Sequence, residues 1–211
     1  MRDVNRIATQ IITPNTGTIL DRATIKNYLR LDTIADDDLL DLFISQVINL
    51  AQHNTRRFLL NTTVKATLDQ FPAGSDYYQY AENVPIAHEL HDSSVIYLPY
   101  LPIQSLTSIV TYDRNDTSST FDSSFYRLDQ ANDRIVINDG SVLPTDLRDR
   151  QAVEITYVCG YGATAASIPA GLLAVMYGMV MSLYTCRGQQ PDMMGLMSWV
   201  AFDGAVYDQL R

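Results

Sequence analysis

The chain has 211 residues and a net charge of −9, with a composition that is 46% hydrophobic and 18% charged. That length and balance allow one large domain or two small ones with a sizeable core, and they exclude a disordered polymer. The acidity excludes a surface built to grip nucleic acid, because neutralising phosphates needs clustered lysine and arginine, and no cluster extends beyond Arg56-Arg57.

Lysine occurs only at Lys26 and Lys65, so the cations are nearly all arginines, whose planar forks suit bidentate contacts; Arg56 and Arg57 are read as interface arginines. Aspartate outnumbers glutamate, which favours caps and turns. Cys159 and Cys186 have no CxxC spacing and no disulfide framework, and are expected to be reduced thiols of a protein made inside a cell. The opening "MRDVNRIATQIITPN" has no apolar run of signal-peptide length, so nothing in it directs export.

The segment up to about Gly17 shows no clear periodicity and is expected to be an arm. "DRATIKNYLRL" then sets Ile25, Tyr28 and Leu29 on one helical face behind Asp21 as N-cap, which predicts a helix near 21–31. "DDDLLDLFISQVINLAQHNTRRF" places three aspartates in a first turn and Arg56-Arg57 near the far end, the signs that a helix dipole favours. Leu39, Leu40, Phe43, Val47, Ile48 and Ala51 form its apolar stripe, predicting a helix over 36–54.

After Leu60 the period changes to two. Val64, Ala66 and Leu68 alternate with Lys65, Thr67 and Asp69, and strands resume at "SVIYLPY", "SLTSIVTYD", "SFYRLD", "DRIVIND" and "AVEITYV". This predicts an antiparallel β subdomain over 62–158, with the polar stretch 73–94 as a surface excursion. "ITYVCGYG" ends its last strand in a turn that Gly160 and Gly162 permit, and Pro169 suits the first turn of a helix over 169–186. Along that helix Ala174, Gly178 and Ser182 recur every fourth residue, a stripe of small side chains suited to close subunit or helix packing. Leucine and methionine on its other faces make it apolar nearly all round, as in a core, an oligomer interface or a membrane. Its glycines, Ser182 and Thr185, and a β subdomain just upstream, argue against the membrane. Beyond it the tail carries Met193, Met194, Leu196, Met197, Trp199, Phe202 and Tyr207 between Gly and Pro breaks, and is expected to dock on a partner.

The chemical motifs have plainer readings. His88, Glu89 and His91 lie together, but the histidines are three apart rather than four, in an expected loop, so they are assigned no metal. Cys159 lacks a base placed by the sequence, Gly160-x-Gly162 lacks the rest of a phosphate-cradling pattern, and the aspartates read as caps. No catalytic residue and no cofactor is assigned. A ligand-binding β module with Tyr77, Tyr78, Tyr80, Tyr97 and Tyr100 as its contact surface, of the kind that binds a carbohydrate or receptor in a phage tail, is the alternative function.

Taken in order, "TIKNYLRLD" at 24–32, "DDDLLDLFI" at 36–44, "TRRFL" at 55–59, "LDQFP" at 68–72, "IYLPYLPIQSLTSI" at 96–109, "YRLD" at 126–129 and "ITYVCGYG" through Pro169 resemble the head-tail connector, or adaptor, proteins of long-tailed bacteriophages and phage-like gene transfer agents. The resemblance covers about residues 18–187. Arg56 stands where that pattern commonly has glycine, Cys159 replaces a small residue, and 73–94 is longer than usual.

The resemblance implies a non-enzymatic virion neck protein that forms a homo-oligomeric ring, a dodecamer by family likeness, beneath the portal protein. It would bridge the portal to the next neck (stopper) or tail-terminator protein while genomic DNA passes through the lumen without sequence-specific binding. The expected architecture is α+β: an arm and two helices in 1–61, an inserted antiparallel β subdomain in 62–158, a C-terminal core helix in 159–187 and an extended partner-docking tail in 188–211. It would be made in the bacterial host cytoplasm and reside in the head-tail neck region of the virion, with no membrane partner.

Overall fold

The computed structural model of the chain describes residues 7–71 and 95–186. The fold is mixed α+β and divides into two units, one formed by residues up to Pro14 together with Asn61–Gly160, the other by Asn15–Leu60 together with the chain from Tyr161 onward.

The second unit is helical. Helix α1, Arg22–Leu29, starts where the Asp21 carboxylate accepts from the backbone N–H groups of Ala23 at 3.3 Å and Thr24 at 2.9 Å, satisfying donors that have no partner in the first turn. It ends at Arg30, which is left-handed with φ 54°, so that the Leu31 N–H reaches back to the Lys26 carbonyl at 3.0 Å. Helix α2, Asp37–Thr55, buries Leu40, Val47 and Ala51 and ends at Arg56, also left-handed. Helix α3, Ala170–Thr185, buries Leu172, Met176, Met179, Val180 and Tyr184. These faces meet, with Leu20, Ile25, Leu59, Leu60 and Ile168, in one apolar core. Segments far apart in sequence thus share a single oily interior.

The first unit holds two antiparallel sheets. The strands are β1 (Ala8–Thr13), β2 (Thr62–Leu68), β3 (Val95–Tyr97), β4 (Ile103–Tyr112), β5 (Ser118–Thr120), β6 (Tyr126–Asp129), β7 (Arg134–Ile137) and β8 (Val153–Cys159). A five-stranded sheet runs β1-β2-β8-β4-β5 and a three-stranded sheet runs β3-β7-β6. The alternation seen in the sequence of β2 becomes burial: Val64, Ala66 and Leu68 are fully covered, and Val64 lies opposite the equally buried Tyr157. Asp133, buried in the β6–β7 turn, accepts from the Ile103 N–H at 2.8 Å and so joins the two sheets. Phe121 lies 5.1 Å, 5.5 Å and 5.8 Å from the rings of Phe71, Phe125 and Tyr126, extending the apolar interior beyond β5.

Two strands were not expected. Residues 8–13, taken from sequence as part of an arm, pair with β2, and Ser118–Thr120 pairs with β4. Both are edge strands whose residues are all exposed, so neither carries the apolar alternation by which a half-buried strand is recognised. The stretch 73–94 lies outside the described residues.

Candidate interaction surfaces

Among the described residues no three His, Cys, Asp or Glu side chains are grouped so as to hold a metal ion, and no helix is long and apolar enough to cross a membrane. His88, Glu89 and His91, and the tyrosines Tyr77, Tyr78 and Tyr80, lie outside those residues. Cys159 is fully buried at the end of β8, its Sγ 3.7 Å from the Thr62 carbonyl, and burial pushes the thiol up to about 12. A thiol so held is a small apolar filler rather than a nucleophile.

The turn that follows is set by close contact. Gly160 has φ 133° and Gly162 φ 159°. A Cβ at Gly162 would lie 2.3 Å from Ser167 Oγ and 2.4 Å from Ser167 Cβ, so glycine is required by space as well as by conformation. The Gly-x-Gly pair is a structural joint.

Helix α3 turns two different faces to its surroundings. One is buried in the helical core. The other carries Ala174 and Gly178, both exposed, and Ser182, half-buried; a Cβ placed on Gly178 or Gly171 would meet nothing within 4 Å. The small-residue stripe is therefore not spent on packing among the described residues of the helical unit. From the other side α3 holds the starts of the first two helices. The Tyr177 hydroxyl accepts from the Asp21 N–H at 3.0 Å, and the Tyr184 hydroxyl donates to Asp36 Oδ2 at 2.5 Å. These tyrosines stand two turns apart, so one face of α3 reaches both N-termini.

Between α1 and α2 is a groove of about 720 Å³ with Leu20, Leu31, Ile44 and Ile48 among its lining. Its rim is laced by charge: Arg22 binds Asp41 at 2.5 Å and Lys26 binds Asp37 at 2.6 Å. Arg56 is exposed at the end of α2 with φ 53°, the backbone position where a glycine meets least resistance, and Arg57 beside it is half-buried. The two arginines stand next to each other at the surface, and no described carboxylate forms an ion pair with either within 4.0 Å.

The five-stranded sheet has the two charges of its strands paired on one another. Lys65 on β2 pairs with Glu154 on β8 at 3.3 Å, Tyr112 donates to the same carboxylate at 3.2 Å, and Arg148 stacks 4.1 Å over the Tyr112 ring. Its two outer strands are uncharged. β1 reads Ala-Thr-Gln-Ile-Ile-Thr, β5 reads Ser-Ser-Thr, and beside β5 runs a groove of about 350 Å³ lined by Phe121, Phe125, Val142, Leu143 and Pro144. This pair of edges was not identified from sequence; the β-branched run at 11–13 was the available signal. The tail residues Met193, Met194, Leu196, Met197, Trp199, Phe202 and Tyr207 lie outside the described residues.

No protein-family model matches the chain, and no curated protein matches it in sequence. In structure it is similar to a chain from the neck of an empty gene transfer agent particle computed with C6 symmetry, with a TM-score of 0.66 and 22% identity over 91% of this chain and 94% of that one. It is similar also to a chain in the virion of a native gene transfer agent particle, with a TM-score of 0.65 and 20% identity over 92% of this chain and 93% of that one. A chain in the neck of a native particle computed with C12 symmetry gives the same values. The shared fold runs nearly the full length of both partners in each case.

Proposed function

We propose that the chain is a structural neck protein of a phage-like particle, a head-tail connector that forms a ring beneath the portal protein and passes the assembly on to the next neck or tail-terminator protein. The observation that carries this reading is the shared fold over more than nine tenths of the chain with chains from gene transfer agent necks and virion. A ring of twelve fits the C12 symmetry of one of those particles and the family resemblance in the sequence. The stripe of Ala174, Gly178 and Ser182 serves subunit packing in this reading, and Arg56 and Arg57 serve as interface cations. The tail with Met193, Met194, Leu196, Met197, Trp199, Phe202 and Tyr207 docks on the portal. Genomic DNA traverses the lumen without being held, which a net charge of −9 favours by leaving no excess cation to trap phosphates.

The test is electron microscopy of the purified protein mixed with the portal protein of the same genome. A ring stacked on the portal is the expected result, and deletion after Gln190 is expected to abolish attachment while circular dichroism shows an unchanged fold. Absence of any association between folded chain and intact portal would refute the connector role; normal attachment of the truncated chain would refute the tail's part in it.

A further inference from the structure

Among the described residues the five-stranded sheet ends in two unpaired edges, and the edges are unlike in a complementary way. β1 is a strand of six residues whose side chains are exposed on both faces, with Ile11 51% and Ile12 48% exposed and no residue beyond it in the sheet among those described. A strand of six extends about 20 Å. Natural edge strands are usually blunted by lysine, proline or a covering element, because a row of unpaired N–H and C=O groups is a template for another chain. β1 has no charge in its length, and among the described residues no layer covers either of its faces. At the opposite edge β5 is equally exposed and uncharged, and the groove beside it is walled by Phe121, Phe125, Val142 and Leu143, with Val142 78% exposed. One edge presents apolar knobs and the other an apolar slot.

We infer that β1 of one copy docks along β5 of the next copy, extending the five-stranded sheet from subunit to subunit and seating one of the two isoleucines in the groove beside Phe121 and Val142. A closed ring of identical copies needs two different patches on each subunit, one meeting the other head to tail. The two edges of this sheet meet that requirement. Successive neighbours in the order β1-β2-β8-β4-β5 are antiparallel, so β1 and β5 point the same way. A neighbour related by a many-fold rotation is turned only slightly, which keeps strand direction and makes the new pair parallel. This contact rests on the ring reading above and specifies its subunit joint.

The test uses full-length protein carrying Cys186→Ser, assembled with the portal. Ile11→Cys and Ile12→Cys are each combined with Val142→Cys, and one of the two pairs is expected to give, on mild oxidation, a ladder of covalent multimers up to the ring size, and each single cysteine variant none. Ile11→Asp with Ile12→Asp should leave the monomer's circular dichroism and melting unchanged, since both sites are exposed, and reduce ring closure at least tenfold. Unimpaired rings from the aspartate variant, or rings without the ladder, would overturn the β1–β5 contact and leave the connector reading standing. A dimer from Ile11→Cys alone would overturn it in favour of β1 pairing with β1. A wild-type chain that never forms a ring, with or without the portal, would overturn both.

Discussion

Strand β2 buries Val64, Ala66 and Leu68 completely, whereas β1, hydrogen-bonded along its side, leaves all six residues exposed. The backbone ladder is of one kind in both. What separates them is a layer of side chains laid over one strand and, among the described residues, missing from the other. Ladder bonds exchange water for carbonyl and amide partners at little net gain, while burying apolar surface contributes in proportion to its area. The stability of the sheet unit therefore resides in the covered strands, and the uncovered one is left available for contacts outside the chain. The same division runs along α3, with a buried row at Leu172, Met176 and Met179 and an uncovered row at Ala174 and Gly178.

Leu68→Ala on β2 against Ile11→Ala on β1 tests the contrast most strongly. The first should cost about 3 kcal/mol in denaturant unfolding and the second less than about 0.5 kcal/mol. Equal costs would mean that β1 is covered in solution. Two glycines offer the next comparison. Gly162→Ala, driven into Ser167, is expected to cost about 2 kcal/mol, whereas Gly178→Ala on the bare side of α3 should stabilise the monomer by about 0.5–1 kcal/mol. A loss of ring formation in the latter, despite the firmer monomer, would assign the stripe to subunit packing. Tyr184→Phe removes a hydroxyl that donates to Asp36 and should cost about 1.5 kcal/mol, while Tyr28→Phe on the exposed side of α1 should register nothing in the same melts.

The smallest effect is in acid. The Asp21 carboxyl is lowered from its ordinary value by the Thr24 hydroxyl and the N–H groups it caps, so the folded state favours the ionised form. Its contribution is fully present above the ordinary carboxyl range, near pH 4, and fades as the pH falls through the lower folded value. Asp21→Asn still caps the helix, so it should unfold like wild type at pH 7 and show a shallower loss of stability below pH 4. An unchanged acid profile would show that the cap does not titrate in this way.

Much of the interior was legible because each signal was local. The Asp21 cap, the apolar stripe of α2 and the alternation of Val64, Ala66 and Leu68 all lie within a few residues of what they specify, and the helix ends fall within two residues of expectation. β1 and β5 were not legible, since an uncovered strand has no reason to alternate and owes its form to a partner distant in sequence. Which row of α3 would be buried was equally hidden, because leucines and methionines surround the helix and α1 and α2 decide the matter. The Tyr177 and Tyr184 contacts span 156 and 148 residues, and nothing beside either tyrosine announces them. The small-residue row of α3 could be read from its spacing, while the slot beside β5 depends on Phe121, Val142 and Leu143 being brought together by the fold.

The placing of α3 after the sheet unit gives biosynthesis a fixed order. As the ribosome works, α1 and α2 emerge with Leu40, Val47 and Ala51 uncovered, and about a hundred residues, Asn61–Gly160, must be made before the helix that seals them. At ordinary elongation rates that is about 5–20 s of exposure. Over that interval the apolar faces of the nascent helical pair are open to other chains, so the time taken to make the sheet unit and α3 sets the window for misassociation.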